Sequence, residues 1–432
     1  MKPFLIFTIL TLFINNGGAA DPAPARPRDE ASISLDEVTQ AALSNNPAIQ
    51  SALKKWDAMK ARIPQAGAWD DPKVSATSRV ARYVAIGPNA FTDQMLSIEQ
   101  LIPLTGKNLA RARAAAAEAV AAYEVARRQQ LDVVAKTRVS YFRLANVYAQ
   151  LELNRRNLVS LKQIAEVARA KYQVGDQSAA FVLTAETEYS KLMEVGRDLE
   201  LQLATGDAEL DALMGRDAFA PLGRPAGSDA EPVVPAVEKL REIAMSSRPE
   251  VRIAAARAEQ AKAVLQLARR EWIPDPAVVV EAQRYDGASQ AVSEVDAGVS
   301  FNIPWVNYRK YSSEIREAAD ALDAAQRDLD SARLDTLAAL REAVEKAQTM
   351  HHHIELYRDK IVPQAQQAFE ASGLGYENGK VSFLDWIAAQ RTLRDLQSEQ
   401  QQAIADYQTA VAELEAIIGS NLTTTTQTKS SP

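Results

Sequence analysis

Three consecutive histidines, His351-His352-His353, stand four residues before Glu355 in the case of the first. Imidazole and carboxylate are both transition-metal ligands. His351 and Glu355 lie one helical turn apart and could grip one ion from the same face. The three histidines cannot converge together, because neighbouring helical residues point about 100° apart. A solvated polar face explains the run equally simply, so no dedicated metal site is assigned and His351 and Glu355 stand as candidates. "PLTGKN" (Pro103–Asn108) carries a glycine and lysine but lacks the first glycine and the strand-loop spacing of a phosphate loop. The chain has no cysteine, which removes thiol catalysis, disulfides, thiolate metal sites and an acylated N-terminal cysteine. No nucleophile, base and metal converge, so the sequence gives no catalytic residue, no cofactor site and no enzyme.

Two short turns carry stronger patterns. "YQVGDQS" places Val174, Gly175, Asp176, Gln177 and Ser178 after a long helical run, and "YENGKVS" places Asn378, Gly379, Lys380, Val381 and Ser382 after another. Gly175 and Gly379 fit left-handed helix stops. Ser382 followed by Asp385 fits a capping box that restarts the helix. These are at least rigid turns, and rigid tips are also what a docking partner needs.

The elements that hold these turns are written twice. Asn46-Pro47 matches Arg248-Pro249, "WDDPKV" (Trp69–Val74) matches "WIPDPAV" (Trp272–Val278), and Ile102-Pro103 matches Ile303-Pro304. The turns match each other, as do Met214-Gly215 and Ile418-Gly419, all at a nearly constant offset of about 200 residues. The spacing predicts two repeats, 33–215 and 236–419, joined by a Pro- and Gly-rich linker over 216–235 where helix cannot continue.

Each repeat reads helix, strand, strand, very long helix, turn, helix. From Gly106 to Tyr172 there is no internal glycine or proline, and at 1.5 Å per residue the run is roughly 100 Å long. Leu144, Leu151, Leu158, Ala165 and Tyr172 recur at sevens, as do Ile315, Leu322, Leu329, Thr336, Ala343, Met350 and Tyr357. Sevens mean supercoiled helices in antiparallel pairs. Pro363 should kink the second long helix.

Strands are expected at about 73–86 and 91–102, and again at about 277–286 and 292–303, with hairpin tips at 172–181 and 376–385. Val295, Ala297, Val299, Phe301 and Ile303 fall on one face of the last strand; Asp296, Ser300 and Asn302 fall on the other. In its partner Val278, Val280 and Ala282 oppose Val279, Glu281 and Gln283. Apolar-out, polar-in alternation of this length suits a membrane barrel, and Glu281, Gln283, Asp296, Ser300 and Asn302 would then face a lumen. Four strands are too few to close around one. Either the strands are soluble or several chains share a barrel. Trp69, Tyr83, Phe91, Trp272, Tyr285, Trp305 and Tyr308 lie near the strand ends, where interface anchors sit.

Residues 1–20 read as a secretory signal: Lys2, an apolar stretch from Phe4 to Ile14, then Gly18-Ala19-Ala20. A flexible lead (21–32) and a polar tail (420–432) flank the repeats. With 49 basic against 56 acidic residues and a net charge of −7, nucleic acid is not the expected partner.

"QLIPLTGK" (Gln100–Lys107), "YQVGDQS", "VLTAETEYSKL" (Val182–Leu192) and the duplication resemble the TolC-like outer-membrane efflux proteins over essentially the whole mature chain. "YENGKVSFLDWIAAQRTL" (Tyr376–Leu393) is most similar to members that accompany heavy-metal pumps. The resemblance implies a mainly α fold with a small membrane β part. Three protomers would share a twelve-stranded outer-membrane barrel, continued by a periplasmic α-helical coiled-coil tunnel. It implies a homotrimeric exit duct of a tripartite efflux system in a Gram-negative outer membrane. Its partners would be a periplasmic adaptor at the tips, an inner-membrane pump of the RND type and outer-membrane lipid; its cargo could be heavy-metal cations. The competing functions are the exit channel of a type I secretion system and a soluble periplasmic coiled-coil adaptor. Two positions depart from the family pattern. Phe181 stands where related first hairpins carry an aspartate matching Asp385, and Ala388 stands where some close their mouth with an aspartate ring. The gate chemistry of those channels is therefore not carried over; Lys380, Asp176 and Asp385 are the charges near the tips that could pair between hairpins, and Asp385 is the candidate gate residue.

Overall fold

The computed structural model of the chain describes residues 32–78, 93–226, 234–285, 289 and 291–420. The signal, nearly all of the lead, Tyr83, Phe91 and residues 421–432 of the tail lie outside them. The first half runs β1 (Ser32–Ile33), α1 (Leu35–Asn45), α2 (Pro47–Gly67), β2 (Lys73–Ser78), β3 (Gln94–Leu101), α3 (Lys107–Gln173), α4 (Ala179–Leu213) and β4 (Arg224–Pro225). The second runs α5 (Val237–Ser247), α6 (Pro249–Glu271), β5 (Pro276–Arg284), β6 (Glu294–Phe301), α7 (Tyr308–Leu356), α8 (Val362–Glu377) and α9 (Phe383–Ile418).

Local chemistry sets the boundaries. Ser34 and Glu37 form a reciprocal capping box that opens α1. Pro47 and Pro249 occupy first-turn positions, where a missing N–H costs nothing, and so separate the short helices from their successors. Asn46 caps α2 and also donates from Nδ2 to the Leu213 carbonyl at 2.9 Å, tying the start of the repeat to its end.

The α3–α4 pair buries Leu144, Leu151, Leu203 and Leu210 with Val38 of α1. The equivalent core of the second half joins α5, α7 and α9 through Leu240, Leu340, Val344, Tyr407 and Leu414. Between the halves, Arg138 of α3 makes a buried ion pair with Glu415 of α9.

Two expectations are corrected. Arg224–Pro225 of the linker pairs in parallel with Ser32–Ile33, so Ser32 belongs to the fold rather than to a flexible lead. The Tyr141 hydroxyl lies 3.0 Å from the carbonyl oxygens of both Ile33 and Ala226 and closes this junction. Just before Pro363 the helix takes one π-turn, Tyr357–Ile361, and continues as α8; an inserted residue is one way to accommodate the lost N–H and the ring. The last strand stops at Phe301, since Pro304 opens a 3₁₀ turn, and Asn302 lies just beyond it.

Candidate functional site: a two-faced sheet and paired hairpin tips

The strands form one open antiparallel sheet in the order β2-β3-β5-β6. Its centre is the pairing of β3 with β5, which crosses from one repeat to the other: Ile98 opposes Val280 and Leu96 opposes Ala282. The outer pairings bring Val74 to Ile98, and Val280 and Val278 to Ala297 and Val299. One face is therefore a continuous apolar surface across all four strands. It is exposed: Val74, Val295 and Val299 each retain 65% of their surface, and Ile98 retains 47%.

The opposite face is mostly polar, with Met95, Leu101, Ala277 and Val279 among its residues. Ser75, Ser97, Glu281 and Asp296 form one transverse row, with Glu281 directly opposite Asp296. The Ser75 and Ser97 hydroxyls are 2.7 Å apart. Gln283 and Ser300 share this face, paired with Glu294 and Ala277. Like charges in direct opposition weaken a sheet, so this row is not explained by folding alone. On the apolar face Gln94 and Gln100 lie towards the two ends of β3; Gln100 Nε2 donates to the Asp70 carbonyl at 2.9 Å.

Aromatic side chains cluster where sheet meets helix. Trp272 makes edge contacts with Tyr308 and Tyr311 at 5.7 and 5.9 Å, while Trp305 remains 52% exposed.

The same junction holds a charge cluster that sequence reading did not identify. Lys107 Nζ lies 3.0 Å from Asp275 Oδ2 and 3.5 Å from Glu271 Oε2. Asp275 Oδ1 also accepts from the Thr105 hydroxyl at 2.8 Å and the Thr105 N–H at 3.2 Å. Burial pushes the Asp275 carboxyl upward, but the hydrogen bonds from Thr105 and Lys107 outweigh it and hold the group below the ordinary range. A cavity of about 370 Å³ opens here, bounded by Lys107, Asp275, Glu99, Ser300 and Asn302. "DP" precedes the first strand of each repeat (Asp71-Pro72 and Asp275-Pro276) and "GK" (Gly106-Lys107) follows β3, but nothing in one dimension says that Lys107 and Asp275 meet.

At the other end of the molecule the two turns come together. Gly175 and Gly379 have φ of 76° and 71°, a conformation glycine adopts without strain. The N–H of Asp176 bonds back to the Lys171 carbonyl at 3.0 Å, and that of Lys380 to Gly375 at 2.8 Å. Ser178 and Ser382 then cap α4 and α9, accepting from Ala180 and Asp385 N–H groups at 3.2 Å. The expected capping box is modified: the Asp385 carboxylate accepts a hydrogen bond from the Ser382 hydroxyl at 2.7 Å.

Phe181, where the family pattern has aspartate, stacks on Phe383 with ring centroids 5.2 Å apart. Tyr376 is buried and stacks on Trp386. Lys171 reaches across, donating to the Tyr376 carbonyl at 3.2 Å and lying 3.9 Å from Asp176. An apolar core thus binds the two tips within one chain, leaving Val174 79% exposed at the end.

The metal candidates are only partly assembled. His351 Nδ1 lies 3.8 Å from Glu355 Oε1 and its ring packs on Tyr407, while His352 and His353 are exposed. Among the described residues no group of three or more metal-ligating side chains converges.

A sheet with an apolar and a polar face, at one end of helical hairpins far longer than a globular core requires, is the architecture of an outer-membrane channel protomer. The chain belongs to the outer membrane efflux protein family, whose sequence profile matches residues 38–216 and 240–420. It is an outer-membrane efflux protein, a channel component and not an enzyme. It is 25% identical over 377 residues to the cobalt-zinc-cadmium resistance protein CzcC of Cupriavidus metallidurans, covering 86% of each chain. It is 24% identical to the nickel-cobalt-cadmium resistance protein NccC of Alcaligenes xylosoxydans xylosoxydans over 71% of this chain and 68% of that one. Its fold matches CusC with a TM-score of 0.80 at 16% identity, covering 90% and 92% of the two chains. It matches the outer membrane protein VceC of Vibrio cholerae with a TM-score of 0.76 at 18% identity, over 90% and 96%. Among the described residues no helix is long and apolar enough to cross a membrane.

Proposed function

We propose that this protein is the outer-membrane exit duct of a tripartite heavy-metal efflux system. It would work as a homotrimer whose three sheets close one barrel. The observation that carries this reading is the sheet itself: an exposed apolar face, a polar face and two unpaired edge strands, β2 and β6. Open edges are not tolerated in lipid, and joining β2 of one copy to β6 of the next removes them. Residues 33–215 and 236–419 are then the two efflux repeats, with 216–235 as the belt between them. Export through the inner membrane, with cleavage after Ala20, would deliver the chain to the periplasm of a Gram-negative cell.

On this reading Glu281, Gln283, Asp296 and Ser300 line the lumen. Tips 174–178 and 378–382 meet a periplasmic adaptor, and an inner-membrane pump of the RND type supplies the energy. The names of the relatives, which refer to cobalt, zinc, cadmium and nickel resistance, support divalent metal cations as cargo. Deleting the gene and measuring growth against each metal tests this. Sensitivity to one or more of these cations, restored by the intact gene, is expected. Unchanged metal tolerance, with sensitivity to organic toxins or loss of a secreted protein instead, would remove the metal assignment.

A further inference from the structure

Beneath the sheet the helices repeat the order of its strands: α2 packs on α3, α3 on α6 and α6 on α7. The outer members are α2, which leads into edge strand β2, and the first half of α7, which follows edge strand β6. Each leaves a long side exposed, and the two sides carry charge in opposite order. At the foot of β2 stand Asp70 and Asp71; further from the sheet, α2 presents Lys54, Lys55, Lys60 and Arg62 against Asp57 alone. Below β6 stand Arg309 and Lys310; further from the sheet, Glu317, Asp320, Asp323, Asp328 and Asp330 outnumber Arg316 and Arg327. All of these side chains are exposed.

The bands stand at matching levels. Asn108 Nδ2 donates to the Ala68 carbonyl at 2.6 Å, Lys107 lies 3.5 Å from Glu271, and Glu271 and Glu314 border one groove. Asp70-Asp71 and Arg309-Lys310 therefore flank one level of the layer. About three turns along α3 from Asn108, Arg62 meets Glu118 at 3.5 Å; the same step along α7 from Glu314 ends beside Asp323. Pairing inside the chain does not consume these charges, since Lys54 and Lys60 share Asp57 and Lys310 is 3.8 Å from Glu314.

We propose that the two bands are a head-to-tail recognition surface for a second copy of this chain. The α2 edge of one protomer docks on the α7 edge of the next, acid to base beside the sheet and base to acid below it. The inference rests on the shared-barrel reading and adds what selects the edges. Isolated exposed ion pairs contribute little affinity, but complementary bands choose partner and orientation, because like charges face to face are rejected. Within one membrane, α2 against α2 or α7 against α7 brings like bands together; only α2 against α7 matches both, and a repeated head-to-tail contact generates a ring.

Exchanging the charges tests it. One variant set is Lys54→Glu, Lys55→Glu and Lys60→Glu; the other is Asp320→Lys, Asp323→Lys and Asp328→Lys. The full-length protein is extracted from outer membranes in mild detergent, and its trimer-to-monomer ratio is read by light scattering after gel filtration. Either set alone should lower that ratio at least about tenfold, and the two sets combined in one chain should restore it to within about twofold of wild type. Circular dichroism checks that helix is retained; where one set alone does not fold, recovery in the combined chain still decides. A trimeric wild type with single sets equally trimeric, or a combined chain no better than the single sets, overturns the edge recognition and leaves the ring standing. A monomeric wild type removes the ring itself, and the proposal with it.

Discussion

Lys107 Nζ and Asp275 Oδ2 are 3.0 Å apart, and both side chains are more than nine-tenths buried. Lys107 opens the long helix of the first repeat and Asp275 precedes β5 of the second, so one ion pair joins the two repeats where helix gives way to sheet. Breaking a buried pair leaves a charge without compensation, whereas replacing both partners can be neutral. Lys107→Met alone should destabilise by about 3–5 kcal/mol, and adding Asp275→Leu should recover most of that loss. Chemical denaturation of the two single variants and the double variant checks it. Three additive losses would deny the coupling.

The pair also sets a pH dependence. Asp275 has a folded-state pKa below its unfolded one. Its contribution is therefore complete above the ordinary carboxylate range and disappears as pH falls through the lower, folded value. The melting temperature of the wild type should fall in acid more steeply than that of the Lys107→Met, Asp275→Leu double variant. Parallel profiles would show that Asp275 is not a source of the slope.

The two faces of β6 should respond oppositely to charge. Val299 lies on the apolar face opposite Val278, and Ser300 on the polar face opposite Ala277. If the apolar face meets lipid, Val299→Arg should cost about 2–4 kcal/mol near mid-membrane and reduce assembly. Ser300→Arg should be tolerated. Membrane-inserted protein, quantified after fractionation, distinguishes them, and equal tolerance would contradict the lipid-facing assignment.

At the second tip, Asp385 is bonded to Ser382 of its own turn, which supports a capping role in place of a gate. Ser382→Ala should lower stability by about 1 kcal/mol. Asp385→Ala should lower the melting temperature while leaving single-channel conductance unchanged. A rise in conductance would reinstate a carboxylate that pairs between hairpins.

Much of this was legible in one dimension because periodicity is local. Leu144 and Leu151 at heptad spacing do lie in the α3–α4 core. The alternation of Val295 to Phe301 against Asp296 and Ser300 does separate two faces. Gly175 and Gly379 do adopt the left-handed stop. What sequence reading lacked is long-range partnership. The β3–β5 pairing joins residues near 98 to residues near 280, and neither strand's pattern names its neighbour. Lys107 and Asp275 sit in recognisable motifs, yet charge alone does not choose a partner.

The central claim is that edge strands β2 and β6 of different copies meet. The chain lacks cysteine, so single cysteines can be placed without a competing background. Ser75→Cys on β2, combined in turn with cysteine at each position of β6 from Glu294 to Phe301 and oxidised in isolated outer membranes, tests it most directly. At one register the denaturing gel should show dimers and trimers and nothing larger, because three copies close the ring. Monomers at every register, or a ladder extending past three, would contradict a shared and closed barrel.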